Sequence, residues 1–218
     1  MLRLAFLLIL FVTMPQQERV RSYGTGNEGV VSRSGPDYNG TVQSDGPNYT
    51  ADGQMKMPER YREWIFLTSG LDMSYDHAAA MVGHSSFGNV FVNPSAYKAF
   101  EKTGTWPDKT ILVLEFRGAE GASSINKQGK TESQELTGVE VHVKDAKLDG
   151  GWGFFEFDGD APAKVVKRPS SCYQCHENHA AVDTTFVQFY PTLLGLAKAK
   201  GALSPAYLKE IGSAGTTK

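Results

Sequence analysis

The chain has 218 residues, 40% of them hydrophobic and 11% aromatic, which suffices to bury one ordinary core and gives no sign of a second domain. A formal net charge of -2 supplies no attraction toward nucleic acid or an anionic membrane surface, so both are excluded as expected partners.

At the N-terminus, Met1-Leu2-Arg3 precedes an apolar run from Leu4 to Met14 that is too short to span a bilayer comfortably. Residues 1–14 read as a signal peptide, hence a periplasmic destination, or as a retained anchor, since Thr13-Met14-Pro15-Gln16 offers no small-x-small cleavage site. Residues 15–54 are rich in Gly, Ser, Asn, Pro and Gln and read as a flexible leader that cannot offset its ordering entropy. The folded domain is expected over 55–218, with aromatic and apolar residues first clustering from Met57 through Leu67.

Strand signals follow. Phe87–Val92, Thr110–Phe116, Gly138–Val143 and Trp152–Phe157 are short runs rich in β-branched and aromatic residues. Between the first two, Asn93-Pro94 opens and Gly104 closes a short helix, with Asn93 as its N-cap. Asn126–Gln134 is polar and reads as an exposed loop, whereas Phe186–Lys200 and Pro205–Ile211 have helical spacing. The expected fold is α+β: a mainly antiparallel sheet, short flanking helices and a C-terminal helical segment carrying the motif described next.

Ser171-Cys172-Tyr173-Gln174-Cys175-His176 contains C-x-x-C-H, the attachment signature of c-type haem. Two thiols at this spacing can each form a thioether to one haem vinyl group, which holds the adjacent imidazole under the iron. One covalent haem c is therefore expected, with His176 as the metal ligand. A thioredoxin-like pair would want a surrounding βαβ pattern, and a zinc site would need two more ligands that no other cysteine supplies. Among the other histidines, His179 is expected on the proximal side in a surface role, and His142 is a minor candidate for sixth ligand. His77 and His84 receive no role, and Met81 is the methionine best placed to serve a six-coordinate electron carrier.

The chain resembles the cytochrome P-460 family, including the cytochromes c′-beta, over roughly 57–200. The resemblance rests on Tyr61-Arg62-Glu63-Trp64, on Val92 through Tyr97 leading to Lys102-Thr103-Gly104, on Gly138 through Asp145, and on Cys172–His176 continuing into Val182-Asp183 and Phe189–Leu193. It implies an exported, mostly β-sheet monohaem cytochrome, often homodimeric, with a five-coordinate haem whose distal face is built from the sheet. The best-known members oxidise hydroxylamine and bond a strand lysine to the haem edge. That position is Leu114 here, and Thr110–Arg117 contains no lysine. Leucine has no nucleophilic atom, so the crosslink is not expected, and Lys109, five positions away, belongs to the opposite face of a regular strand. The family's distal arginine is also missing. Phe87 and Phe116 resemble the phenylalanine pair that caps the iron in cytochromes c′-beta, and Glu140 matches an acidic position that can accept a proton. The resemblance thus implies a small gaseous ligand such as nitric oxide or carbon monoxide. Its alternatives are a small nitrogen-oxide or peroxide substrate with Glu140 as catalytic group, and an electron carrier serving an unidentified redox partner.

Overall fold

A computed structural model describes residues 44–75 and 85–214. The expected signal segment, most of the leader, His77, His84 and Met81 lie outside the described residues. Five antiparallel strands form one sheet in sequence order: β1 (Ile65–Leu71), β2 (Ser86–Val92), β3 (Ile111–Glu120), β4 (Thr131–Lys144) and β5 (Trp152–Phe157). Among the described residues four α-helices accompany it: α1 (Pro94–Thr103), α2 (Ser171–His179), α3 (Leu194–Ala199) and α4 (Pro205–Ala214). The architecture is the expected α+β class.

Strand register decides everything that follows, because residues directly opposite one another point to the same face. One face carries the rows Val92–Leu112–His142–Phe154, Val90–Leu114–Glu140–Glu156 and Gly88–Phe116–Gly138. The other carries Phe91–Val113–Val141–Phe155 and Asn89–Glu115–Val139–Phe157. Both faces are apolar, so both must be covered. The second face packs against Met55, Ala163, Tyr49, Tyr61 and Trp64. The first packs, at one end, against Phe100 and Trp106 and against Val182, Tyr190, Leu193 and Ala197 of the C-terminal region.

Composition assigned residues 44–54 to the leader, yet they make specific contacts. Asp45 accepts hydrogen bonds from the Ser95 backbone N–H (2.8 Å) and hydroxyl (2.7 Å), capping the first turn of α1. Asn93 does occupy the N-cap position, but its side chain is not the cap. It is fully buried and welds the helix to β3, accepting from the Ile111 N–H (2.8 Å) and donating to the Lys109 carbonyl (3.2 Å). Pro94 and Gly104 mark the helix ends as expected, Gly104 at φ 79°.

Two elements differ from the sequence reading. β1 pairs along Ile65–Leu71 although only its first three residues carried an apolar signal. β4 begins at Thr131, inside the expected loop, because its first residues pair with the outer end of β3 as a solvated arm, Glu120 opposite Thr131. Such an arm has no buried face and so shows no alternation in sequence.

Glu115 was not anticipated. It is fully buried on the second face and accepts from the Tyr61 hydroxyl (2.6 Å), Arg62 Nε (2.8 Å) and Arg117 Nε (2.9 Å), with a second bond from the Arg62 guanidinium. Burial pushes its carboxyl up, but the bonds from Arg62, Tyr61 and Arg117 together outweigh it and the net shift is downward. A lowered carboxyl contributes stability above its unfolded value that is lost as pH falls through the folded one. Glu115→Ala is expected to cost about 3 kcal/mol in urea unfolding, the low end for breaking a buried pair because Arg62 is half exposed. The variant should also lose part of the wild-type decline in stability below pH 4.5, the ordinary value of the group. An unfolding curve equal to wild type at pH 7 would show that the network holds nothing together.

Candidate functional site

The first face of the sheet is not covered along its whole length. Between it and the C-terminal region lies a cavity of about 410 Å³, in the range of small-molecule sites. The sheet supplies one wall, with Gly88, Val90, Leu112, Leu114, Phe116 and Glu140. His176, Phe186, Phe189 and Tyr190 supply the other.

α2 carries the C-x-x-C-H motif, and Cys172 and Cys175 are free, partly exposed thiols three positions apart, hence on one side of the helix. The helix is fixed through Tyr173, whose hydroxyl donates to the Val166 carbonyl (3.0 Å). The Tyr173 ring packs edge-on to Phe154 (4.9 Å) under the Arg168 guanidinium (3.7 Å). Burial, then the neighbouring Cys172, push the Cys175 thiol up. A thioredoxin-like nucleophile needs the opposite shift.

His176 Nδ1 lies 2.7 Å from the Thr184 carbonyl oxygen. A carbonyl can only accept, so the proton sits on Nδ1 and Nε2 keeps its lone pair. Burial lowers the pKa of this imidazole despite the Thr184 bond, which keeps it neutral as a metal ligand must be. The ring is packed by Phe186 (4.1 Å) and by the edges of Phe154 (4.7 Å) and His142 (5.0 Å).

This arrangement fits haem. Two thiols flank an imidazole whose tautomer is already set for ligation, beside a cavity whose opposing walls are largely apolar. Among the described residues no three His, Cys, Asp or Glu side chains converge on one point.

The structure brings together Leu114, Phe116, Glu140 and His176 on the cavity and leaves Phe87 outside it. Phe87 pairs with Arg117 and therefore belongs to the opposite face of β2, while Gly88 stands across from Phe116. Of the expected phenylalanine pair, Phe116 lines the cavity and Phe87 does not. A Cβ on Gly88 would approach Phe116 Cε1 to 3.5 Å and Leu114 Cδ1 to 3.3 Å, so glycine leaves these side chains room. Lys109 does not replace the missing strand lysine, since it sits before β3 at φ 68° and pairs with Asp145. His179 pairs with Glu210 of α4 (3.0 Å) at the surface, away from the cavity lining.

Tyr75, Met73 and Thr184 are among the site residues that escaped the sequence reading. Tyr75 and Met73 lie in the segment after β1, where no periodic signal exists, and Tyr75 packs against Phe186 (5.3 Å) and Phe189 (6.4 Å) across the cavity. Its phenol is pushed up to about 12 by burial, with Cys175 and Glu140 adding, so it remains a hydrogen-bond donor at neutral pH. Thr184 acts through its backbone carbonyl, which no residue-type signal reveals.

Water reaches Glu140, yet burial among Leu114 and its neighbours, and then the cross-strand charge of Glu156, raise its carboxyl above the ordinary 4.5. A raised carboxyl stabilises the fold fully below its unfolded value, and that contribution is lost as pH rises through the folded value. Glu140→Gln is therefore expected to flatten the fall in melting temperature as pH increases above 4.5. An unchanged profile would mean that the carboxylate is fully solvated.

The family model for cytochrome P460 matches residues 58–187, more than half of the chain, from the turn at Tyr61–Glu63 through the whole sheet to α2 and just beyond. No curated protein matches the chain.

Proposed function

The chain belongs to the cytochrome P460 family and is a haem-binding cytochrome, and from that premise we propose that it carries one haem, bound covalently through Cys172 and Cys175, with His176 as axial ligand and an open sixth position that takes a small uncharged diatomic such as nitric oxide or carbon monoxide. When bound, the haem supplies an iron that exchanges electrons and ligands. The observation that carries the proposal is the character of the sheet wall: at its centre β2 and β3 present Gly88, Val90, Leu112, Leu114 and Phe116, none with a side-chain hydrogen-bond donor.

The protein's own residues then act as follows. His176 stays neutral and oriented by the Thr184 carbonyl. Leu114 and Phe116 exclude water from the centre of the wall, which disfavours charged or strongly hydrated ligands. The hydroxyl groups of Thr68 and Ser86 lie toward the β1 side, and Tyr75 closes on Phe186 and Phe189.

Two specific observations favour alternatives. Glu140, with its raised carboxyl on the cavity wall, can hold a proton for an oxidoreductase acting on a small nitrogen-oxide or peroxide substrate. Met73 also lines the cavity, so a thioether is at hand for a six-coordinate electron carrier. Export to the periplasm, carried by the apolar run at Leu4–Met14, and assembly as a homodimer belong to the same proposal.

Visible spectra of the holoprotein, ferric and dithionite-reduced, with and without carbon monoxide, separate these readings. A high-spin reduced spectrum that shifts with carbon monoxide is the expected result. Sharp low-spin bands unmoved by carbon monoxide would overturn the open site, and their loss in Met73→Ala would identify the sixth ligand. Acidified acetone should leave the haem on the wild-type chain and extract it from the Cys172→Ala, Cys175→Ala double variant.

A further inference from the structure

His142 lies on the cavity face of β4, buried at 7% exposure, but it is committed to other partners. Its ring stacks on Phe154 at 4.0 Å and 10°, leans on Trp152 at 4.4 Å and meets the edge of His176. Its Nε2 lies 3.3 Å from Thr184 Oγ1. A buried ring nitrogen is costly unless bonded, so a phenylalanine would suit this aromatic stack better unless the bond to Thr184 is used.

Thr184 belongs to a tight turn closed by the Thr185 N–H to Val182 carbonyl bond (2.9 Å), with Asp183 in the left-handed region at φ 51°. The turn is tied to the rest of the fold at several points. Asp183 accepts from Lys144 Nζ (3.2 Å) and from the Trp106 backbone N–H (3.3 Å). Thr185 Oγ1 accepts from Trp106 Nε1 (2.7 Å) and donates to the Val182 carbonyl (2.8 Å). Lys144 and His142 alternate along β4 and so face the same side. Thr184 reaches both ways, with its carbonyl on His176 and its hydroxyl on His142.

We propose that the Val182–Thr185 turn is a clamp that locks the His176 imidazole to strand β4 through Thr184 and His142, which makes these two positioning residues for the axial ligand. The inference rests on the reading of His176 as that ligand. Because the Thr184 carbonyl fixes both the tautomer and the ring plane of His176, anything that lets Thr184 shift alters the strength and angle of the axial bond. The same clamp accounts for His142 on the cavity wall without making it a sixth ligand.

The test is resonance Raman of the reduced holoprotein at the iron–histidine stretch, paired with the reduction potential. Thr184→Val removes the hydroxyl at nearly constant volume, His142→Phe keeps the aromatic stack, and Thr184→Ser restores the hydroxyl. The clamp predicts a shifted, broadened band and an altered potential in the first two variants and wild-type behaviour in the third. A wild-type band and potential in folded Thr184→Val would overturn it. If His142→Phe fails to fold, the comparison of Val with Ser at position 184 still decides. A wild-type protein without an iron–histidine band would instead refute the open, five-coordinate site with His176 as its ligand, a failure of the proposed function distinct from that of the clamp.

Discussion

A five-stranded antiparallel sheet that is apolar on both faces has to be covered twice, and the way each cover is made shapes the rest of the molecule. The second face is closed by the segment from Tyr49 to Trp64, which brings Met55 into the core and carries Tyr61 and Arg62 to the buried Glu115. The Tyr61-Arg62-Glu63-Trp64 stretch thereby has a structural reason to exist, remote from the cavity. The first face is closed only in part by the C-terminal region, and the uncovered remainder is the cavity. The site is the space between a rigid sheet and a set of short, heavily bonded turns.

The two walls of that space differ in their chemistry. On the helical side a neutral imidazole is held by a carbonyl and by packed aromatic rings, so its lone pair is directed by contacts that do not titrate near neutrality. On the sheet side the polar groups are pushed outward along the rows. Leu114 is apolar, its cross-strand neighbour Glu140 is a carboxyl with a raised pKa, and the next in line, Glu156, is exposed. Polarity therefore rises across the sheet from β3 to β5, and a ligand at the centre of the wall meets hydrocarbon. The proposed preference for uncharged diatomics over ionic substrates rests on this gradient.

The local features were legible in the sequence because each rests on a short-range rule. The C-x-x-C-H motif at Cys172–His176 stands out by spacing alone; four of the five strands show as β-branched and aromatic runs; Pro94 and Gly104 bracket α1. What stayed hidden depends on partners distant in the chain. Asn93 looks like a helix cap and is a strand weld, because Asp45, from a segment that composition assigned to a leader, supplies the cap. The polar start of β4 looks like a loop because it pairs only with another solvated segment.

By itself, then, the sequence determined the C-x-x-C-H motif, the strand-rich class and the absence of a lysine at position 114. Alternation along a strand also determined which residues share a face. It did not determine which face looks into the cavity, because that depends on register, and register is set by pairing across the whole sheet. Tertiary structure alone decided that Phe116 lines the cavity while Phe87 does not, that Gly88 stands across from Phe116, and that His142 and Thr184 meet beside His176. Such contacts depend on backbone atoms and on residues far apart in the chain, so no local pattern of residue types encodes them.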